Sequence, residues 1–228
     1  GLFTNVYIKD IVERDKLRDD SILRPLVDAL CSSVGSLTNS NRLANTAVSA
    51  IRKAPSHNTI KKYLEYVEDA YLFQRADRWN VKGRKYFDTI QKYYAMDLGL
   101  RNARLNFRQQ ERSHLMENMI YNELVRRGYS VDVGIVEVNR LVDGKQKMSQ
   151  HEIDFVVNIG NNKVYIQSAL NIDTSAKKAQ ALFSLKHTGD FFRQIVVSAG
   201  SRQPCTDEAG VMHLGVLPFL LEAILDAH

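Results

Sequence analysis

The residues best suited to chemistry in this 228-residue chain lie between positions 114 and 170. Glu117 and Glu123 lie on a stretch with helical spacing, and Asp154 lies on a later stretch with strand spacing. Carboxylates can accept hydrogen bonds or take part in acid–base chemistry, so these acids are the first candidates for a functional site. Gln167, on the next strand-like stretch, is a neutral amide that offers a carbonyl oxygen and two N–H donors.

Histidine and cysteine give weaker signals. His114 and His151 flank the acidic residues, but neither belongs to an HxH or HExxH pattern, so both are more typical of surface or hydrogen-bonding residues than of metal ligands. Cys31 and Cys205 lie far apart and match no CxxC spacing. Their pattern favours buried or inert thiols in a reducing cytoplasm.

The elements that must position the acids follow from the hydrophobic pattern of the second half. A helix with one apolar face is predicted from residue 113 to Gly128, which is a suitable C-cap. Strands and helices then alternate in an order typical of a layered α/β domain. The predicted strands cover residues 129–138, 152–157, 164–170, 192–199 and 210–214, and the predicted helices cover 174–186 and 217–225.

Strict strand alternation predicts which side chains share a face of the sheet. Glu152, Asp154 and Val156 should lie on one face of their strand. Gln167 and Ala169 should share a face of the next strand.

The first half predicts a different kind of domain. Helical spacing covers residues 2–14, 21–32, 40–53 and 58–73, with Ser56 as N-cap of the last helix. A hairpin of residues 72–79 and 85–95 follows, around a basic loop that contains Gly83. Helices joined by a tight turn and followed by a hairpin indicate a winged helix-turn-helix. We place the domain boundary near residue 105.

The net positive charge lies in that first half. Residues 1–104 carry 18 Lys and Arg against 12 Asp and Glu, and the rest of the chain carries 13 against 14. A basic winged helix would bind duplex DNA through phosphate contacts, although such modules also serve in packing alone. The candidate contacts on the last helix and on the hairpin are Lys61, Lys62, Arg78, Lys82, Arg84 and Lys85. Trp79 and Tyr86 lie near the basic loop, where stacking on bases is conceivable.

Composition and hydrophobic pattern argue against a disordered, membrane-spanning or secreted protein. Hydrophobic and charged fractions of 44% and 25% are those of a folded, water-soluble protein. No apolar run approaches the roughly 20 residues of a membrane span, and no signal peptide opens the chain. We therefore expect a cytoplasmic protein without membrane contact.

Short motifs run through most of the chain in one order. They are YIKDI at 7–11, NTIKKYL at 58–64 after Ser56, EDAYL at 68–72, KYY at 92–94, DLGLRN at 97–102, EN at 117–118, EL at 123–124, EIDF at 152–155 and YIQ at 165–167. With these motifs the chain resembles the C-terminal region of a bacterial and archaeal family of predicted AAA-type ATPases. Its second half resembles the PD-(D/E)XK nuclease superfamily.

The resemblance implies an organisation and a set of partners. Residues 1–20 would be a linker helix toward an ATPase domain that preceded Gly1 and was removed, 21–104 a winged-helix-like domain and 105–228 a nuclease-like α/β domain, so the whole is α+β. No GxxxxGK[ST] loop is present, so ATP would bind only in the missing domain. Expected partners are duplex DNA, that ATPase domain and, as an open alternative, further copies of the chain.

The resemblance also implies a vestigial catalytic motif. Glu117 matches the helix glutamate and Asp154 the strand aspartate of the superfamily. Gln167 stands in place of the second acid and Ala169 in place of the lysine that positions the attacking water. We therefore expect no cleavage and no bound metal, with Mg²⁺ held by Glu117 and Asp154 if activity survives.

Three alternatives stay open from the sequence. A lysine that has migrated, Lys163 or Lys177, could restore a weak metal-dependent nuclease. The acids could instead form a hydrogen-bonded polar cluster with Gln167 that only joins the helix to the strands. The whole chain could also act as a protein-interaction module that packs on the ATPase domain and on neighbouring subunits.

Overall fold

A computed structural model describes residues 8–15, 21–48, 55–142, 145–222 and 225. The fold is α+β, as predicted from the sequence. Within those ranges no helix is both long and apolar enough to cross a bilayer. The predicted linker helix of residues 1–20 and the predicted hairpin tip at residues 143–144 lie partly or wholly outside the described residues.

The chain divides into two compact units that interleave in sequence. Unit 1 contains residues 1–76 and 89–118, and unit 2 contains residues 77–88 and 119–228. The predicted boundary near residue 105 thus falls within unit 1, because unit 1 continues to residue 118. The outer part of the predicted hairpin, residues 77–88, belongs with the second half of the chain.

Unit 1 is mainly helical. Its helices are α1 (Lys9–Arg14), α2 (Leu23–Ser32), α3 (Ser40–Val48), α4 (His57–Asp69) and α5 (Leu98–Arg104). Ser56 caps α4 as predicted, because its Oγ accepts from the Thr59 N–H at 3.1 Å. Buried side chains of α2 and α4, among them Leu26, Leu30 and Ile60, share one core with Phe73.

The hairpin expected as a wing consists of β1 (Phe73–Asn80) and β2 (Lys85–Ala95). Its strands and its turn agree with the sequence prediction. The end of β1 also pairs in parallel with β3 (Ser130–Val142), with Arg78 opposite Val133 and Asn80 opposite Ile135. The outer part of the hairpin is therefore part of a sheet, and the winged-helix assignment stays a prediction.

Unit 2 is built on a mixed sheet between helices. The remaining strands are β4 (Lys145–Ile159), β5 (Asn162–Ala169), β6 (Arg193–Ser198), β7 (Cys205–Thr206) and β8 (Met212–Gly215), and the remaining helices are α6 (Arg112–Arg126), α7 (Ser175–Phe183) and α8 (Val216–Leu221). The described strands run in the order β2-β1-β3-β4-β5-β6-β8-β7. β3, β4 and β5 are antiparallel, and β6 is parallel to β5 after the α7 crossover.

The two faces of this sheet carry different helices. On one face, Leu182 of α7 packs in a core with Val136, Ile153, Val156 and Tyr165 of the sheet. On the other face, the Tyr121 ring of α6 lies 6.2 Å from the Phe155 ring. Gly128 ends α6 with φ +84°, as expected for a C-cap glycine.

A β-bulge interrupts β4 beside the candidate site. Asp132 of β3 pairs with Val156, and Gly134 pairs with Ile153, so two steps along β3 match three along β4. Ile153 and Val156 consequently lie in the same core. The expectation of strict alternation through Glu152, Asp154 and Val156 is therefore wrong, because the bulge shifts the facing by one residue.

Replacing Gly134 by alanine should destabilise unit 2. A Cβ there would lie 2.8 Å from Val156 Cγ2 and 2.9 Å from Ile153 Cβ, both in the packed core. Overpacking of this kind costs about 1–3 kcal/mol, which urea unfolding of Gly134→Ala would measure. Ser130→Ala, at an exposed position of the same strand, should change the free energy of unfolding by less than about 0.5 kcal/mol. Equal stability of the two variants would contradict the described bulge.

Candidate functional site

Asp154 lies in the bulge of β4, and its carboxylate is already occupied by protein donors. Its Oδ2 accepts from Gln167 Nε2 at 2.7 Å and from the Ser168 backbone N–H at 2.7 Å. Asp154 is buried, with 7% of its surface exposed. The structure thus brings together two of the predicted motif residues, Asp154 and Gln167, on neighbouring strands.

The Gln167 amide donates a hydrogen bond to Asp154, which an ionised second acid could not do. A carboxylate in its place would repel Asp154 unless a cation lay between them, whereas the amide N–H donates directly to the carboxylate. Gln167 Oε1 is buried, and within the described residues it has no hydrogen-bond partner. The Gln167 amide therefore satisfies part of the hydrogen-bonding capacity of the buried Asp154 carboxyl group.

A cavity of about 870 Å³ opens beside this pair. Gln167, Ser168 and Ala169 form one wall, and α7 forms another. The small Ala169 side chain leaves space on this wall. The other side chains that border the cavity include His151, Glu152, Lys177, Gln180 and Phe183.

The two candidate replacement lysines lie in different places. Lys163 Nζ lies 4.6 Å from the centre of the Trp79 ring, in a cation–π contact. Lys177 borders the cavity from the first turn of α7 and is exposed. Only Lys177 of this pair is therefore close to the Gln167 wall.

Glu117 lies in unit 1, where it is half of a buried ion pair. Its Oε1 accepts from Lys92 Nζ at 2.8 Å and from Tyr94 Oη at 2.6 Å. The side chains of Lys92 and Glu117 are 3% and 10% exposed. Gly35, with φ +67°, leaves room for this carboxyl group, because a Cβ there would lie 3.4 Å from Oε1.

The sequence carries only part of the signal for the partners of Glu117. Lys92 and Tyr94 are separated by two positions on a predicted strand, which places both side chains on one face. A lysine and a glutamate that are both buried require each other. Because Glu117 belongs to unit 1 and Asp154 to unit 2, the predicted proximity of their carboxyl groups stays a prediction.

The histidines that flank the acids have ordinary partners. His114 Nδ1 lies 3.3 Å from Glu111 Oε2, and His151 Nε2 lies 2.9 Å from Ser149 Oγ. The His151 ring also packs on Phe183 at 4.5 Å. Among the residues that the structure describes, no group of three or more His, Cys, Asp or Glu side chains is placed to hold a metal ion.

Most of the predicted DNA contacts are exposed. Lys61 and Lys62 lie side by side on α4, and Lys82, Arg84 and Lys85 lie on or beside the β1–β2 turn. Arg78 is different, because it is only 6% exposed, donates to Gln150 Oε1 at 3.3 Å and packs over the Phe87 ring. The expectation that Arg78 contacts DNA is therefore corrected: the pairing of β1 with β3 buries it within the sheet.

Sequence patterns gave no sign of a second polar cluster in unit 2. Asp207 Oδ2 lies 2.8 Å from His213 Nε2 and 3.3 Å from Lys178 Nζ. Burial raises the pKa of Asp207, but hydrogen bonds from His213, the Val211 N–H, Lys178 and the Ala209 N–H outweigh burial and lower that pKa to about 2. These contacts join the β7–β8 turn to α7.

Comparison with known families divides the chain near the start of α6. Residues 1–111 match the model described as Domain of unknown function (DUF8612), and residues 112–217 match the model described as Domain of unknown function (DUF4143). The chain therefore contains two domains of unknown function.

Relatives come from both bacteria and archaea. An uncharacterized protein of Haemophilus influenzae is 31% identical over 222 residues, which cover 97% of this chain and 51% of the relative. Uncharacterized protein MJ1544 of Methanocaldococcus jannaschii is 28% identical over 175 residues, covering 77% of this chain and 36% of the relative. This chain thus spans about half, or less, of the length of these relatives.

Solved structures also include one that aligns with most of this chain. The crystal structure of protein VC1899 from Vibrio cholerae aligns with 94% of this chain and 53% of its own, at 11% identity and a TM-score of 0.32. A TM-score at that level carries no conclusion about fold or function.

Proposed function

We propose that this chain is the DNA-binding part of an AAA-type ATPase, and that its second domain is a nuclease relative that no longer cleaves. The observation that carries the proposal is the Asp154–Gln167 hydrogen bond beside Ala169. An amide and a methyl group stand where the superfamily has a second acid and a lysine.

These substitutions remove the chemistry of metal-dependent cleavage. A metal-assisted phosphodiester cut needs carboxylates that hold the cation and a group that positions or deprotonates the attacking water. Asp154 supplies a single carboxylate, one oxygen of which already accepts two N–H donors. Ala169 supplies nothing to a water molecule. The donor set formed by Asp154, Gln167 and Ala169 therefore does not fit Mg²⁺.

The exposed basic residues support binding to DNA. Lys61 and Lys62 on α4, together with Lys82, Arg84 and Lys85 on the β1–β2 turn, can each neutralise a phosphate. Release of counterions from those phosphates would make the affinity strongly dependent on salt.

The ATPase part of the proposal depends on the resemblance and on length. The motifs that carry the resemblance extend through both domains of unknown function. The Haemophilus influenzae relative is about twice as long as this chain, which leaves room for a further domain.

A salt titration tests DNA binding. The full chain should bind a fluorescent duplex with an affinity that falls steeply as salt rises, with a slope near −0.9 per phosphate contact in a log–log plot. Lys61→Gln/Lys62→Gln should reduce the slope by about 2. Lys9→Gln/Lys186→Gln, which removes two exposed lysines not predicted to bind DNA, is the matched control. Binding that is absent at low salt, or independent of salt, would reject the proposal.

A cleavage assay tests the proposal that the second domain no longer cleaves DNA. Incubation with Mg²⁺ or Mn²⁺ should produce no cut that Asp154→Ala abolishes. A metal-dependent cut that disappears in Asp154→Ala, and also in Lys177→Gln, would instead establish an active nuclease with a migrated lysine.

A second candidate function is assembly with other protein chains. In unit 1 the large side chains of Tyr71 and Phe107 are 80% and 66% exposed. Exposed aromatic residues of this kind are frequent in protein interfaces. Light scattering on the full chain and on Phe107→Ser would test this reading, since a homo-oligomer that depends on Phe107 would favour assembly over DNA binding.

A further inference from the structure

Two exposed aromatic residues flank the basic turn of unit 2. Tyr86 is 53% exposed and Phe191 is 106% exposed, so Phe191 projects wholly into solvent. The loop before Phe191 lies against the turn, because a Cβ on Gly189 would be 3.8 Å from Lys82 Cε. We name the surface formed by Lys82, Arg84, Lys85, Tyr86 and Phe191 the aromatic–basic rim.

The basic turn is held in place by Asn80, which is only 2% exposed. Asn80 Oδ1 accepts from the Gly83 N–H at 2.7 Å, and its carbonyl accepts from the Arg84 N–H at 2.8 Å. The Val81 N–H donates to the Ile135 carbonyl at 3.0 Å, which joins the turn to β3. The cations of the rim are thus presented by a fixed backbone.

Tyr86 is also fixed, while part of its ring stays exposed. Its hydroxyl donates to Asp132 Oδ2 at 3.2 Å, and its ring meets the Trp79 ring edge-on at 4.8 Å. Lys163 lies over the Trp79 ring. Trp79 is therefore covered by its neighbours, and Tyr86 is the aromatic residue of this pair that can receive a ligand.

The loop that carries Phe191 is anchored on both sides of that residue. The Tyr165 hydroxyl donates to Asp190 Oδ2 at 2.7 Å, and the Phe192 ring packs edge-on against Tyr165 at 6.3 Å. Phe191 alone points outward. A fully exposed phenylalanine gains nothing from the core of its own unit, so its free face is available for stacking.

We infer that the aromatic–basic rim binds single-stranded nucleic acid, with unpaired bases stacked on Phe191 and Tyr86 and with phosphates on Lys82, Arg84 and Lys85. Aromatic platforms beside a basic track are the usual means of binding single strands without sequence preference. Paired bases in a duplex offer no free face to either ring. This inference deepens the proposed function, on which it depends, by assigning the unit 2 contacts to unpaired strand.

The test compares three oligonucleotides of equal length with the full chain: single-stranded oligothymidine, a duplex, and an abasic strand that keeps only sugar and phosphate. Anisotropy gives the affinity for each. Trp79 is the single tryptophan of the chain and lies beside Tyr86, so its fluorescence should change when a base stacks there. We expect the single strand to bind more tightly than the abasic strand and to alter Trp79 emission.

Variants assign the stacking to the rim. Phe191→Ser should weaken binding of oligothymidine by roughly 5- to 150-fold, the range seen when a stacked aromatic residue is removed. The same variant should change the affinities for the abasic strand and for the duplex by no more than about twofold. Leu221→Ser, which removes another exposed apolar side chain from unit 2, should leave all three affinities unchanged. Because Phe191 is fully exposed, its loss should not affect folding, which circular dichroism would check.

Each contrary outcome has a distinct meaning. Equal binding of oligothymidine and the abasic strand, or no effect of Phe191→Ser, would overturn the inference. Binding of duplex alone would overturn the inference and leave the proposed function standing. No binding of any nucleic acid would reject both. Displacement of oligothymidine by polyglutamate at equal charge concentration would reassign the rim to an acidic protein partner and overturn the inference.

Discussion

Replacement of Lys92 by methionine is expected to lower the free energy of unfolding by about 3–5 kcal/mol, because the Glu117 carboxylate would stay buried without its cation. Loss on that scale is a large part of the 5–15 kcal/mol that typically separates folded from unfolded protein. Tyr94 would still donate to Glu117, but a neutral hydroxyl cannot compensate a whole charge. Urea unfolding of the variant and of the parent chain would measure the difference.

A double variant separates the charge effect from the loss of packing. Lys92→Met/Glu117→Gln removes both charges and keeps an oxygen that accepts from Tyr94. It should recover at least half of the stability lost in Lys92→Met, since a buried pair can often be replaced by neutral groups at little cost.

The matched control is the exposed pair Lys9–Glu13, whose side chains are 68% and 66% exposed. Lys9→Met should change the free energy of unfolding by no more than about 1 kcal/mol. If Lys92→Met were as mild as Lys9→Met, then Glu117 would not depend on Lys92, and a role for Glu117 as a free metal ligand would regain support.

The order of elements in the second half could be predicted from sequence because each element carries its own local signal. Apolar alternation marks β4 and β5, helical spacing marks α6 and α7, and Gly128 marks the end of α6. The two-residue strand β7 has too few residues for any period to show, and it was missed.

Non-local pairing set the limit of prediction for the hairpin. The predicted strands at 72–79 and 85–95 agree with β1 and β2 to within one residue, but nothing within them indicates that Arg78 pairs opposite Val133. From the hairpin sequence alone, an arginine among other basic residues is predicted to be exposed. Its burial follows from a neighbouring strand more than 50 positions away.

The candidate site was predicted in part for a similar reason. Sequence motifs placed Asp154 and Gln167 on adjacent strands, and the structure joins them through one hydrogen bond. The bulge at Asp154 was missed, although Gly134 in the middle of a strand is a signal for a bulge. Glu117 was identified without its partner, because Lys92 lies in a different element and the resemblance gives no contacts.

Gln167→Glu is expected to have the largest effect at the Asp154 site: it should lower stability at neutral pH and create a metal-binding pair of carboxylates. It replaces the donor to Asp154 by a second carboxylate, which loses a hydrogen bond to a charged group and places two like charges in contact. The lost bond alone is worth about 1.5–3 kcal/mol. We therefore expect a lower melting temperature at neutral pH. Two carboxyl groups that share a site can share one proton, so stability should return as the pH falls and one of them is protonated.

A divalent cation should have the same effect as that proton. Mg²⁺ or Mn²⁺ between the two carboxylates would restore the variant, by about 2.7 kcal/mol when the metal is at 100 times its dissociation constant. The parent chain should show no comparable shift, because Gln167 already satisfies Asp154.

The matched control is Gln180→Glu, which makes the same charge change at an exposed position on the same cavity. Thermal melts of the three proteins with and without metal, at neutral and acid pH, give the result. If Gln167→Glu were as stable as Gln180→Glu and as indifferent to metal, the amide would not be standing in for an acid. The proposed relation of this pocket to a metal-dependent nuclease would then lose its physical basis.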